Sequence, residues 1–425
     1  VSGQVKNIGW RVALSGTGIN LALGVLYTWS VIKAAIPDSW GWDAAQKSDP
    51  YAVACFVFAL AMIPAGRLQD KIGPRWVATI GGVLTGLGCL IAGLMGSSYI
   101  GFVVGFGVFA GAGIGFGYAS ATPPAVKWFP PAKTGMIAGI VVAGFGLASV
   151  YIAPLASYLT GAYGVSTSMM IFGVAFLFIV CGLAQNLKNP PAGYKPEAPT
   201  AVSASGAPVP APAAAVDMNW KDMLKTPQFY VLWLMYASGA AAGLMVIGSA
   251  KSLGNASLGA KAFWVVAVLA VGNAVGRVLA GIISDKIGRQ WTMFAFYILQ
   301  AVTVISLVFV QDNAAVLLVL VFIAGANYGS NLALFPSATK DFFGLKGFGL
   351  NYGIMFTAWG VGGLILPRVA GMVKKATGSE DLAFYIAGGL MVFAAILTFV
   401  SRAIAERDEK VKEAKAAGAA ASASA

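Results

Sequence analysis

Twelve apolar stretches, each near the length that crosses a bilayer, run along this chain at 10–34, 51–68, 76–97, 99–126, 135–160, 165–187, 227–250, 262–284, 290–311, 313–338, 348–372 and 382–403. Charged or proline-bearing turns separate them. In lipid a spanning segment must satisfy its own backbone polar groups, so each stretch is predicted to be a helix. The strands of an outer-membrane barrel would alternate apolar and polar residues, and these runs do not. Composition enters here: 58% of the 425 residues are apolar and 10% are charged, against about a quarter charged in ordinary soluble domains. Mean hydropathy is +0.78. So few ionised groups could not cover the surface of a soluble protein of this length. The predicted fold class is an all-α membrane protein with twelve transmembrane helices in two parallel six-helix repeats.

Between the sixth and seventh stretches lies 189–216, rich in Pro, Ala and Ser and too polar to span. The expected organisation is a six-helix half over 1–188, a cytoplasmic linker over 189–222, a second half over 223–405 and a cytoplasmic tail over 406–425. The first long apolar run begins near Gly9 and many follow, so it reads as a first helix and no cleavable signal peptide is expected. With both termini in the cytoplasm, twenty of the twenty-eight Lys and Arg residues face inward, among them Arg11, Arg67, Lys71, Arg75, Lys286 and Arg289. Seven face outward: Lys33, Lys47, Lys251, Lys261, Arg368, Lys374 and Lys375. That bias predicts a multi-pass protein of the cytoplasmic (inner) membrane with both termini inside. The net charge of +12 then lies beside anionic lipid headgroups and needs no nucleic-acid partner. A functional monomer is expected.

An internal repeat supports the division. Gly66-Arg-Leu-Gln-Asp70-Lys71-Ile-Gly73-Pro-Arg75 follows the second stretch, and Gly281-Ile-Ile-Ser-Asp285-Lys286-Ile-Gly288-Arg289 follows the eighth, the aspartates being 285 − 70 = 215 positions apart. Trp128-Phe129 with Gly135 and Gly139 matches Phe342-Phe343 with Gly349 and Gly353 at an offset of 214. Repeats in the same order fit two parallel halves about an axis along the membrane normal.

Several chemistries lack their parts. There is no histidine, which removes imidazole catalysis and His-based metal sites. Cys55, Cys89 and Cys181 lie inside apolar runs and read as small buried residues. No P-loop, G-x-S-x-G or H-E-x-x-H sequence occurs. No enzyme activity, cofactor or metal is expected. Glycines spaced by four, Gly107, Gly111 and Gly115 or Gly82 and Gly86, lie inside apolar runs, where close helix packing accounts for them better than a phosphate loop.

The informative residue is Arg277. It lies past the midpoint of FWVVAVLAVGNAVGRVLAGIIS, on the order of 6 Å toward the cytoplasm at the helical rise. A guanidinium there is costly unless it faces a wet cavity or a partner. Snorkelling along its own stem is the bland alternative. Asn273, one turn earlier on the same face, makes a polar stripe that snorkelling would not need. The sixteen acidic residues all fall in loops, linker, tails or span ends, so an anionic ligand is expected to complete Arg277. The same absence argues against transport of cations and basic drugs.

The paired G-x-x-x-D-[KR]-x-G loops resemble the signature of the major facilitator superfamily. GVLYTWS (24–30), KWFPPAKTG (127–135), LKTPQFYVLW (224–233), NAVGR (273–277), SDKIGR (284–289), LFPS (334–337) and NYG (351–353) resemble its oxalate/formate antiporter-like group, akin to the monocarboxylate transporters for lactate and pyruvate. The resemblance implies that Arg277 holds the substrate carboxylate and that Tyr27, Tyr118, Phe145, Tyr328 and Phe356 line an aromatic cavity. It also implies conformational gating loops around Asp70, Arg75, Asp285 and Arg289. The chain departs from the group in instructive places. Oxalate carriers have a lysine where this chain has Trp359, and a tyrosine where it has Leu332. Animal-type monocarboxylate transporters have an aspartate where it has Asn273, so proton coupling through that aspartate cannot operate here.

A dicarboxylate would leave its second charge unpaired, which costs several kcal/mol in a dry site. The expectation is therefore a secondary active transporter of a small lactate- or pyruvate-like monocarboxylate, coupled to a proton in symport by alternating access. Arg277 would clamp the carboxylate, Asn273 orient it, and the aromatics with Leu332 and Trp359 measure size. Asn20, Tyr118, Asn327 and Asn331 would supply further cavity polarity. The alternatives are a carboxylate exchanger of the oxalate/formate type and a facilitator of neutral solutes, for which Arg277 would be structural.

Overall fold

The structure, a computed structural model, describes residues 7–129, 134–191, 194, 217–344 and 348–423; the side chains at 70, 134–136, 285, 348–349 and 408–423 are not among those described. Most of the expected linker, 195–216, thus lies outside the described residues, as does part of KWFPPAKTG. Among the described residues all regular structure is helical. In chain order the long helices are α1 (Gly9–Ala34), α2 (Asp49–Ile72), α3 (Pro74–Leu94), α4 (Tyr99–Val126), α5 (134–163), α6 (165–184), α7 (Pro227–Leu253), α8 (Phe263–Ile287), α9 (Arg289–Ser306), α10 (Ala314–Phe343), α11 (Phe348–Thr377) and α12 (Asp381–Ala423).

Ten helical runs among the described residues are long and apolar enough to cross a membrane. One of these is α5 and α6 together, which meet at Gly164, where φ of 76° and ψ of 169° break the helical path. That break falls between the fifth and sixth predicted spans. The run missing from the ten is α9, whose 18 residues include Arg289, Gln290 and Gln300. Helix α12 continues to Ala423, well past the predicted end of its span at 403, because Glu, Lys and Ala are strong helix formers.

The molecule is apolar outside and polar within. Leu94, Phe309 and Phe178 are more than 70% exposed, whereas Asn20, Asn273, Asn327, Asn331, Gln228 and Gln300 are buried. An aqueous protein hides such side chains in the reverse order; lipid around the bundle accounts for this one.

Small residues set the helix spacing. A methyl placed on Gly81 of α3 would stand 2.6 Å from the backbone nitrogen of Gly117 on α4, and one on Gly86 would stand 2.9 Å from the Gly173 carbonyl on α6. Gly111 and Gly115 meet Ala54 and Phe58 of α2 in the same way. Contacts of α2 with α11 and of α5 with α8 join α1–α6 to α7–α12. The predicted repeat is visible in the backbone: Gly73 (φ 82°, ψ 163°) and Gly288 (φ 88°, ψ 159°) end α2 and α8 in one conformation, a region of backbone space that essentially only glycine occupies.

Candidate functional site

Helix α8 reaches its position through mutual glycine contacts with α10. A methyl on Gly272 or Gly276 would lie 2.1 Å from the Phe322 carbonyl oxygen or 1.9 Å from that of Ala326. Gly325 and Gly329 approach Leu269 and Asn273 as closely from the other side, at 2.2 and 2.1 Å. Backbones this near fix the azimuth of α8. Arg277 then points away from α10, across the bundle to α5.

Arg277 is only 9% exposed. Its Nε donates to Asn273 Oδ1 at 3.1 Å and its Nη1 to the Val142 carbonyl of α5 at 2.9 Å. Nη2 is buried without a hydrogen bond of good geometry, and so is Asn273 Nδ2. Tyr118 lies beside the guanidinium, and Gly146 passes next to it, where an added methyl would stand 3.5 Å from Nη2, at ordinary contact distance. No ion pair among the described residues includes Arg277. An unmade hydrogen bond from a buried charged donor costs more than the ~1–3 kcal/mol of a neutral one. A carboxylate would remove that cost and accept from Asn273 as well.

The predicted aromatics converge on this point. Tyr27 packs edge-on against Phe145 with centroids 4.9 Å apart, Tyr118 against Phe145 at 5.3 Å, and Phe356 stacks on Trp359 at 5.0 Å. A 3₁₀ turn over Gly24–Thr28 in α1 delivers Tyr27; at its start Gly24 leaves no space for a side chain against Ala148 and the Phe145 carbonyl. The Tyr27 and Tyr328 hydroxyls lie 2.6 Å apart, and Trp359 Nε1 donates to Tyr328 at 2.8 Å. This hydrogen-bonded set joins α1 to α10 and α11. The hub of the cluster is a residue that sequence reasoning missed. Phe58 of α2 touches Tyr118, Phe145, Phe356 and Trp359 with centroids 5.0–5.8 Å apart. It sits in an ordinary apolar run, with no sequence signal to separate it from lipid-facing neighbours. Tyr236 and Tyr352 extend the cluster through Phe356.

Other expected residues are placed differently. Leu332 is buried one turn beyond Tyr328 on α10. Asn331 accepts from Tyr297, whose hydroxyl also bonds the Met235 carbonyl, so it ties α10 to α9 and α7. Asn20 donates to the Val141 carbonyl at 2.8 Å and ties α1 to α5. Both side-chain polar atoms of Asn327 are buried without partners. Of the loop residues, Arg75 lies over the Trp76 ring and Arg289 pairs with Asp341 at 3.1 Å; the side chains of Asp70 and Asp285 lie outside the described residues. The four loop positions stand at the end of the bundle where the chain enters α1, remote from Arg277.

The opposite, distal end carries ion pairs between the two sets of helices: Arg368 with Asp49 at 3.3 Å and Lys375 with Asp43 at 2.8 Å. The hydrogen bond from Lys375 holds the Asp43 carboxyl below the usual range, helped by the Gln46 backbone. Burial pushes against ionisation of Glu380, but Lys33 and Lys374 outweigh it, and that carboxyl is lowered too.

Comparison with known proteins adds the kinship. The Major Facilitator Superfamily profile matches residues 13–256 and 250–424. The chain is 29% identical over 343 residues to the oxalate:formate antiporter of Oxalobacter formigenes, covering 79% of this chain and 77% of that one. It is 24% identical over 400 residues to monocarboxylate transporter 11 of Mus musculus, covering 90% and 85%. Among solved structures, a bacterial homologue of the human lysosomal transporter Spinster, inward-facing and occupied, superposes with a TM-score of 0.66 at 16% identity over 94% of this chain and 98% of that one.

Proposed function

This chain belongs to the major facilitator superfamily, and we propose that within it the protein carries a small monocarboxylate of the lactate or pyruvate kind across the cytoplasmic membrane, with both termini inside. The observation that carries this reading is Arg277: a buried guanidinium with one donor that has no hydrogen bond of good geometry, no acidic partner among the described residues, and a place where the two sets of helices meet. Rocking of the halves 1–188 and 223–405 exposes it to each side in turn. A bound carboxylate neutralises it and lowers the cost of closing the bundle, the differential affinity that ligand-driven switching requires.

Trp359 sets the charge of the substrate. Its indole nitrogen is spent on Tyr328 and its ring on Phe356, so a second carboxylate would meet apolar surface and one hydrogen-bonded phenol. The desolvation cost of several kcal/mol disfavours a dicarboxylate. The kinship with an oxalate:formate antiporter and a monocarboxylate transporter supports a carboxylate and leaves the number of charges to this pocket.

Symport with a proton is the first mode we propose. Exchange of one carboxylate for another is the second, favoured by the lack, among the described residues, of any carboxylate paired with Arg277 to carry a proton. Purified protein in proteoliposomes, given labelled lactate, pyruvate, formate and oxalate with and without a pH gradient, tests both. Uptake of lactate or pyruvate driven by an inward proton gradient supports symport; uptake that needs only internal carboxylate supports exchange. Efficient oxalate exchange would overturn the assignment from Trp359.

A further inference from the structure

Helix α4 changes its winding between the distal end and the central site. Over Val103–Ala110 it is a π-helix, in which an amide bonds the carbonyl five residues back; at its end the Gly111 N–H donates to the Phe106 carbonyl. A wide turn of this kind holds about one residue more than an α-helical turn, and such turns are rare and concentrated at functional sites. Gly88 of α3 is fitted to it. A methyl on Gly88 would stand 2.5 Å from the Gly105 carbonyl oxygen and 2.4 Å from the Ala110 nitrogen, two atoms five residues apart that a single wide turn brings together. A side chain on α3 at this point would press on the backbone of the turn, and glycine does not.

The wide turn separates two parts of α4 with different company. Its own Phe106 stacks on Trp29 of α1 with centroids 4.6 Å apart, and just before it Phe102 meets Trp40 and Trp42 at 5.6 and 5.2 Å. Tyr99 donates to Asp49, the carboxylate that also pairs with Arg368 of the second set of helices. Trp29 directly follows the 3₁₀ turn that delivers Tyr27. On the cytoplasmic side of the wide turn, Tyr118 lies beside Arg277. That part is held by backbone approach: methyls on Gly113 and Gly115 would stand 2.4 Å from the Thr85 nitrogen and 2.6 Å from the Phe58 carbonyl oxygen. The distal part is held by aromatic rings and one hydrogen bond to a carboxylate, which can repack. An element that both ends can bias is what coupling between two sites requires.

We propose that Val103–Ala110 is a register switch, wide when the distal end is closed, as here, and refolded as α-helix when that end opens. Absorbing the extra residue turns the distal part of α4 by about 100°, which takes Phe106 off Trp29 and Tyr99 off Asp49 while Tyr118 stays by Arg277. Gly88 is the positioning residue that admits the wide form. That the switch serves transport rests on the reading above; that the segment has two registers does not.

Two measurements test it. Spin labels are placed at Ile100 of α4 and Leu155 of α5, both exposed and both in the first set of helices, in a chain otherwise freed of cysteine. Rocking of rigid halves leaves the distance between them unchanged, whereas the swing moves the label at Ile100 by about 8 Å at the radius of a helix with its side chains. Two distances are expected, and both saturating pyruvate and the distal double variant Arg368→Gln with Lys375→Gln should shift weight between them. One unchanged distance in the free, the pyruvate-saturated and the double-variant protein overturns the switch. Deleting Val104, an exposed residue of the wide turn, removes the extra residue and should leave a continuous α-helix with both ends as they are. That protein should keep the rise in melting temperature given by pyruvate, hold the single closed distance, and lose counterflow of labelled pyruvate at least about tenfold. Val104→Ala, which keeps the length, should exchange like the wild type. Counterflow by the deletion at the wild-type rate would make the wide turn a passive bulge and overturn the proposal; so would an equal loss in Val104→Ala. If the deletion protein does not fold, the distances in the intact chain decide. Wild-type protein that exchanges no pyruvate would defeat the transport reading, and the distances then decide the switch by themselves.

Discussion

The Nη1 of Arg277 donates to the main-chain carbonyl of Val142 at 2.9 Å, so the one mid-membrane cation of the second set of helices is tied to the backbone of the first. A carbonyl satisfies a donor without neutralising its charge, and Nη2 has no hydrogen bond of good geometry. A ligand carboxylate supplies what Val142 cannot. Truncating one member of a buried charge-assisted pair costs about 3 kcal/mol, roughly a hundredfold in affinity. Arg277→Ala should lose pyruvate uptake by at least that factor, and should lose the rise in melting temperature that saturating pyruvate gives the wild type. Arg277→Lys keeps the charge without the planar fork and should fall between the two. Uptake counts and thermal unfolding in detergent check both.

Asn273 holds Nε of the same guanidinium at 3.1 Å. Asn273→Asp replaces the amide nitrogen by oxygen and places a resident carboxylate where the substrate is proposed to supply one. Uptake at neutral pH should drop about tenfold or more, because the substrate must displace an internal partner. Acidification should restore part of it as the new carboxyl is protonated. A pH profile of initial rates for the two proteins decides this, and a variant as active as wild type at neutral pH would mean that Arg277 does not meet the substrate.

Trp359→Lys removes the indole from Tyr328 and Phe356 and offers a second cation, an ammonium, within the aromatic cluster. Oxalate should become a substrate, and pyruvate affinity should fall as the buried charge is left unpaired by a monoanion. Counterflow of labelled oxalate and of labelled pyruvate measures the exchange of preference. Loss of both, with normal folding, would place Trp359 in packing alone.

How much of this was legible beforehand depended on the kind of signal. Charge in lipid is so costly that Arg277 and Asn273 announce themselves in a single sequence, and the paired loops announce the repeat. Phe58 could not be found that way, since an aromatic hub and a lipid-facing phenylalanine obey the same hydropathy. Val142 was equally silent: it acts through its carbonyl, which every residue has. Asn331 was visible as intramembrane polarity, but whether such a side chain faces a cavity or ties helices together, as it does through Tyr297, depends on helix rotation. The extension of α12 past 403 was a matter of propensity at a helix end, where apolar periodicity is least informative.

The distal ion pairs give a pH dependence with a definite sign. Asp43 and Glu380 have lowered carboxyl pKa values, so their contribution to closure is full above the ordinary carboxylate range and is lost as pH falls through the depressed values, below about pH 4. Because Lys375 and Arg368 are more than half exposed, each pair is worth at most about 1 kcal/mol. The distance between spin labels at Ser39 and Ala376, in a chain otherwise freed of cysteine, should stay constant from pH 8 to 5 and lengthen below 4. Neutralising both basic partners, Arg368→Gln with Lys375→Gln, should lengthen it at neutral pH. In a chain that keeps Cys55 and carries no spin labels, the same two substitutions should speed maleimide labelling of Cys55, which is fully buried.

Position on α8 should matter more than composition. Gly276 and Gly281 are both helical glycines of that element, yet an added methyl at Gly276 would stand 1.9 Å from the Ala326 carbonyl, and at Gly281 would meet nothing within 4 Å. The clash at Gly276 is with backbone, so no rotamer change relieves it, and α8 must move from α10 and carry Arg277 with it. Gly276→Ala should lower the melting temperature and abolish uptake, a loss at the upper end of the ~1–3 kcal/mol typical of overpacking. Gly281→Ala should be neutral or slightly stabilising, since alanine loses less backbone entropy on folding. Thermal unfolding of the two variants side by side checks the packing argument on which the placement of Arg277 depends. Equal stability of the pair would show that α8 and α10 are not held by backbone approach, and the geometry of the site would then need another cause.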